Sequence, residues 1–264
     1  MYKYIFANCS YGQRKKGVEL AHKLITPHVK KYIKLSNDKF HSKNGYYLLR
    51  DIVYQTNKNN TIPITIGGDH SISLGSLSGS LKHHKDNLTT IWIDAHADIN
   101  TEESSPSGNL HGMPLSYLTG LEKDFFKDEK TNLLNTDNLL YLGIRDIDKY
   151  EEEIINEKNI KYLTSNDINN NINKLNDVKI MTDNIHVSID VDVLDPKYMK
   201  STGTPVDNGI SLDKLEQILK WIKSEGNVTS IDIVEFNPKI GNIYEYEYSL
   251  HNFIKLLNMI HILI

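Results

Sequence analysis

Three apolar runs in this chain each end in aspartates, two of them with histidines alongside, and no other feature restricts the fold as much. Residues 62–66 lead into GGDHS, residues 88–93 into DAHAD, and residues 186–189 into DVDVLDP. Each run reads as a buried β-strand. After the second, Asp94, His96 and Asp98 alternate with other residues, so an extended backbone would send all three side chains to one face. Asp190 and Asp192 share that spacing after the third, and Gly67 and Gly68 permit a tight turn that presents His70 after the first. Carboxylates gathered in this way repel one another until a cation joins them. One Asp-X-His after a strand is commonly a solvated loop, but three such ends offer more ligands than one ion needs. Oxygen and imidazole donors without thiolate favour Mn2+ over Zn2+, and the carboxylates present could balance two divalent ions and a bridging hydroxide.

The remaining pattern alternates strands with helices. Further strands are predicted over 4–7, 31–35, 139–144, 160–163 and 228–234. Helices are predicted within GQRKKGVELAHKLI and over 45–58, 113–121, 149–158, 212–224 and 247–264, with another capped by Ser71 or Ser73 and reaching about His84. Tyr47, Leu48, Ile52 and Val53 are the expected core face of the 45–58 helix. Leu212, Leu215, Ile218, Leu219 and Ile222 form that of the 212–224 helix, with Trp221 in the core or an interface. Such alternation implies crossover connections and an α/β fold with a mainly parallel sheet, its ligand site at the carboxyl ends of the strands. Nothing interrupts the sequence as a linker would, so one domain over residues 1–264 is expected.

Lys and Arg number 30 against 34 Asp and Glu, a net charge of −4, which argues against a nucleic-acid surface and suits a small soluble substrate. Cys9 is the single cysteine. That excludes an intramolecular disulfide and a Cys-rich zinc module, suggests a reducing compartment, and leaves Cys9 as a partly buried structural thiol. The opening MYKYIFANCSYG lacks a basic leader and a long apolar core, and no stretch is apolar enough to span a membrane, so a cytoplasmic protein with no membrane partner is expected. His83 and His84 read as surface residues.

GGDHS, DAHAD and SIDVDVLDP together resemble the three metal-binding motifs of the ureohydrolase family, which includes arginase, agmatinase and formimidoylglutamase. The resemblance spans nearly the whole chain and implies a three-layer α/β/α fold with two Mn2+ per subunit. By it, one ion is held by His70, Asp94, Asp98 and Asp190, and the other by Asp94, His96, Asp190 and Asp192, with Asp94 and Asp190 bridging. It makes Asp98 the carrier of a proton from the nucleophile to the departing amine, and Glu235, in VEFNP, the residue that orients a guanidinium. His111, in SGNLHG, resembles a proton-shuttling histidine titrating near working pH, and Thr204, in STGTPV, a residue beside substrate and metal. Asn100, Ser105, Ser107 and Asn109 would hold an α-carboxylate, Asp148 an α-ammonium, and Glu151 would assist through water. The chain departs from the family at Ser105, where Thr is usual, and at Leu20-Ala21, where Gly-Pro is usual.

The activity so implied is hydrolysis of L-arginine to L-ornithine and urea, through a metal-bridging hydroxide, in a trimer or hexamer. Alternatives are an agmatinase or other amidino hydrolase on the same fold, or a catalytically silent arginine-binding protein. Agmatine has no carboxylate and would leave the carboxylate donors unpaired. A silent protein is expected to have lost a ligand, Glu235 or His111, and none is missing.

Overall fold

A computed structural model describes residues 1–29, 31–123, 125–126 and 132–264. Eight strands form one sheet: β1 (Tyr2–Ala7), β2 (Tyr32–Leu35), β3 (Ile62–Gly67), β4 (Thr89–Ile93), β5 (Leu139–Ile144), β6 (Lys161–Thr164), β7 (Asn184–Asp190) and β8 (Asn227–Val234). Their order is β2-β1-β3-β8-β7-β4-β5-β6, and every pairing is parallel. The helices are α1 (His22–Ile25), α2 (Asn44–Lys58), α3 (Ser73–His84), α4 (Pro114–Thr119), α5 (Lys149–Glu157), α6 (Ser165–Asn170), α7 (Leu212–Glu225) and α8 (Ile243–Met259).

Successive strand residues feed opposite cores, giving a three-layer α/β/α fold. Ile91 and Ile93 pack with Leu215, Ile218 and Phe253 of α7 and α8, while Trp92 between them joins Leu49, Val53 and Leu77 of α2 and α3. Covering both faces explains why the inner strands read as nearly continuous apolar runs. The expected face of α7 is buried as a set, Trp221 included. The order also brings the carboxyl ends of β3, β8, β7 and β4 side by side at the sheet centre.

Several local expectations are corrected. The segment after β1 is no continuous helix; short 3-10 turns flank the single turn of α1, although Val18, Ala21 and Ile25 still enter the core. On α2 Val53 is buried as expected and Tyr47 and Ile52 are partly buried, but Leu48 is exposed and Tyr46, Leu49 and Arg50 are buried instead, because α3 packs along that side. Neither Ser71 nor Ser73 caps α3; the Asp69 side chain accepts from Ser71 N and starts a 3-10 turn that leads into the helix. The last helix starts earlier, at Ile243, because the Asn242 side chain and Glu245 form a capping box, and it ends at Met259 before a 3-10 turn. His83 and His84 are half-buried, and burial pushes the His84 imidazole down to about 4. Cys9 is wholly buried, with its thiol beside the Tyr46 hydroxyl at 3.4 Å.

Gly68 marks where β3 meets the site. Its N–H donates to Ala7 O (3.0 Å), its carbonyl accepts from Glu235 N (2.9 Å), and a Cβ there would lie 1.9 Å from Cys9 O. Backbone cannot yield as a side chain can. Gly68→Ala is therefore expected to destabilise the fold by about 1–3 kcal/mol or more, read from guanidinium chloride unfolding. An unchanged midpoint would contradict the packing described for this turn.

Candidate metal centre

The loops after β3, β4 and β7 deliver imidazoles and carboxylates to one point. His70 Nδ1 lies 3.0 Å from Asp94 Oδ2, 3.1 Å from Asp98 Oδ2 and 3.4 Å from Asp190 Oδ2. His96 Nδ1 lies 3.4 Å from Asp94 Oδ1 and 3.2 Å from Asp192 Oδ2. The two oxygens of Asp94 thus face two different histidines. Among the described residues, two groups can each hold an ion: His70, Asp94 and Asp190, and Asp94, His96 and Asp192. Asp94 belongs to both; Asp190 belongs to one.

The route to this arrangement differs from the extended strand expected from the spacing. β4 stops at Ile93, the backbone bends through Asp94, and Asp98 takes a left-handed conformation (φ 51°). Asp192 sits in a 3-10 turn, Val191–Val193, and its own N–H donates to the Asp190 carboxylate that caps the turn. Glu235, just past β8, is also left-handed at φ 68°. Non-glycine residues adopt this conformation at a cost, and the cost recurs at functional sites.

Burial decides what the cluster requires. Asp94, Asp98, Asp190 and Asp192 are all buried, and each uncompensated buried charge costs several kcal/mol. Two protonated imidazoles offset half of that charge, and two divalent ions offset all of it. His70 Nδ1 and Asp94 Oδ2, 3.0 Å apart and buried, do not meet in hydrogen-bonding geometry, which suits two atoms that share a cation. The His70 ring is itself held in orientation, with Nε2 meeting Ser188 Oγ at 2.8 Å and the ring stacked on Trp92 at 3.9 Å. The residues present fit a metal pair.

The titration behaviour reflects the same crowding. Burial pushes His70 down, but contacts with Asp190, Asp94 and Asp98 overrule it and hold the imidazole well above its usual range. Burial, then the Asp94 charge, pushes Asp98 up to about 6. Glu151 is pushed up to about 8 by burial and then by Asp98 and Asp148. His111 is held at about 9, since the Glu235 carboxylate at 3.0 Å outweighs its burial. It therefore carries its proton at neutral pH rather than titrating there.

A cleft of about 260 Å³ opens on the cluster. His96, Asp98, Asn100, Ser105, Ser107, His111, Asp146, Asp148, Glu151, Asp190 and Thr204 line it; Asn109 and Glu235 do not. Glu235 lies behind His111, its Oε1 accepting from His70 N (2.9 Å) and His111 Nδ1 and its Oε2 from Gln13 Nε2 (2.6 Å). Asn100 donates to Asp148 Oδ2 (2.7 Å), and Thr204 donates to Asp192 Oδ2 (3.1 Å). Asp148 and Glu151 form the capping box of α5, and Glu151 also accepts from Ile99 N (3.2 Å). Ser105 and Ser107 Oγ each accept a backbone N–H of the loop and keep a hydroxyl proton to donate. Reading the sequence missed Gln13, which touches Glu235, and Asp146, 3.6 Å from His96 Nε2. Both follow strands, β1 and β5, so the rule that sites collect at carboxyl ends was the available signal.

Residues 9–245 match the family model described as the Arginase family. An arginase from Staphylococcus aureus (strain MRSA252) is 38% identical over 270 residues, covering 88% of each chain. An arginase from Coccidioides posadasii is 40% identical over 205 residues, covering 72% of this chain and 64% of that protein's length. The structure of Entamoeba histolytica arginase in complex with L-ornithine superposes with a TM-score of 0.85 at 32% identity, over 98% of both chains.

Proposed function

The chain belongs to the arginase family, and on that premise we propose that it hydrolyses L-arginine to L-ornithine and urea with two Mn2+ ions per subunit. The observation that carries this reading is the shared carboxylate of Asp94, with one oxygen toward each histidine. His70, Asp94, Asp98 and Asp190 would hold one ion, and Asp94, His96, Asp190 and Asp192 the other. A divalent pair lowers the pKa of water and supplies a nucleophile that bulk water at neutral pH cannot.

The protein's own groups then do the rest. Asp98, a carboxylate beside the nucleophile, would take its proton and pass it to the departing amine. His111, which holds its proton at neutral pH beside Glu235, supplies the second proton that turns the released amine into an ammonium. Glu235 keeps a lone pair on Oε2 for a guanidinium N–H and so turns the guanidinium carbon toward the metal cluster. At the cleft mouth Ser105, Ser107 and the second amide N–H of Asn100 receive the α-carboxylate, and Asn109, outside the cleft lining, would join them by turning inward. Asp148 receives the α-ammonium, Glu151 assists it, and Thr204 holds Asp192 toward the substrate side. Neutral donors for a carboxylate and an acid for an ammonium discriminate an amino-acid head group from a bare alkylamine. Among the described residues no helix is long and apolar enough to cross a membrane, which is compatible with a cytoplasmic enzyme; assembly into trimers or hexamers completes the reading.

The test is urea release from L-arginine and from agmatine by Mn2+-loaded protein, with a chelated control. Arginine is expected to yield urea at least about tenfold faster than agmatine, and chelation to stop it. Urea mainly from agmatine would overturn the head-group assignment, and chelator-resistant release would overturn the metal assignment.

A further inference from the structure

We propose that Arg145 is a positioning residue that sets one of the two metal positions, that of His96 and Asp192. The inference rests on the two-ion reading above and deepens it. Arg145 directly follows β5, and every N–H of its guanidinium is committed to a backbone carbonyl. Nε donates to Asp207 O (3.1 Å), Nη1 to Gly143 O (3.2 Å) and Val193 O (3.3 Å), and Nη2 to Asp192 O (2.7 Å) and Val206 O (2.8 Å). A guanidinium has five donors in a rigid planar fork, and here all are used.

These carbonyls belong to the end of β5, the turn that carries Asp192, and the end of the loop that carries Thr204. That loop folds back on itself, with Asp195 N donating to Ile210 O (3.0 Å) and Ile210 N to Val193 O (3.1 Å). Asp192 is thereby fixed at every polar atom. Its N–H donates to Asp190 Oδ1 (2.8 Å), its carbonyl accepts from Arg145, and its Oδ1 and Oδ2 accept from Ala95 N (3.3 Å) and Thr204 Oγ1 (3.1 Å). Removing the fork frees the carbonyl of a ligand residue and both ends of the loop bearing its Thr204 partner. The other position draws on the turn after β3 and on the Asp94 N–H bond to Leu142 O (3.1 Å), neither of which uses the Arg145 side chain. Arg145 therefore acts directly on the position of Asp192, and meets the other only through Asp190, whose Oδ1 caps Asp192 N.

Lysine keeps the charge but offers three donors from one nitrogen and cannot reach five carbonyls in three segments. The experiment titrates Mn2+ into wild type, Arg145→Lys and Arg145→Gln against a competing chelator, counting bound ions by electron paramagnetic resonance, with thermal unfolding of each protein measured alongside. Wild type is expected to bind two ions and show a spin-coupled pair. Both variants are expected to bind the first ion with wild-type affinity and the second about 10–100-fold more weakly, losing the coupled signal at low Mn2+. Two ions held with unchanged affinity would overturn the proposal. So would equal weakening of both ions together with a lower melting temperature, which would make Arg145 a residue of the general fold. A wild-type protein holding a single ion would overturn the two-ion reading and this proposal with it.

Discussion

Asp190→Ala is expected to abolish urea release, by more than about 10²-fold, and to leave the protein without a stable metal pair. The effect is large because Asp190 has two tasks. Its Oδ2 stands 3.4 Å from His70 Nδ1, among the ligands of one position. Its Oδ1 accepts from Asp192 N at 2.8 Å, which caps the turn that carries a ligand of the other. Alanine removes both. Asp190→Asn separates them, since an amide oxygen can still cap the turn while the negative charge is gone. Near-normal turnover with both ions retained in either variant would show that the metal assignment is wrong.

Asp148→Asn is expected to lower kcat/KM for L-arginine by about 10–100-fold, the range for losing one charge-assisted hydrogen bond to the α-ammonium. An analogue of arginine without the α-amino group should change by less than about threefold, since it offers Asp148 nothing to bind. The choice of asparagine follows from the fold. Asp148 caps α5, and asparagine preserves that cap where alanine would cost about 1 kcal/mol. An equal loss on both substrates would mean that Asp148 acts through the α5 cap and the Asn100 contact rather than through the ammonium.

Alternating strands and helices were enough to predict a parallel α/β sheet, and the three strand-end motifs to predict polar residues at its carboxyl edge, because periodicity and metal-type donors are local signals. The details that escaped are non-local. Nothing in the sequence spacing shows that Asp98 turns left-handed, because a bend is chosen by what it must reach, here His70. The buried face of α2 was placed correctly at Val53 but not at Leu48, because α3, not the helix's own pattern, decides which side is covered. Gln13 was missed because its partner, Glu235, lies at the far end of the chain. Arg145 stood in view beside Asp146 and Asp148, but five backbone carbonyls leave no imprint on side-chain identity. His111 was assigned a titration near neutrality from its residue type, and contact with Glu235 moves it upward.

The strand order carries a consequence for how the molecule is made. β7 and β8 are late in the chain but lie in the middle of the sheet, between β3 and β4. During synthesis, a chain that has reached β6 has two separate three-stranded ribbons, each with an unpaired inner edge where the late strands must insert. His70 and Asp94 come from different ribbons, and the strands that join them also bring Asp190, Asp192 and Glu235. A metal site built from these residues would therefore be complete only once β7 and β8 have inserted, and long-range pairing of that kind forms slowly.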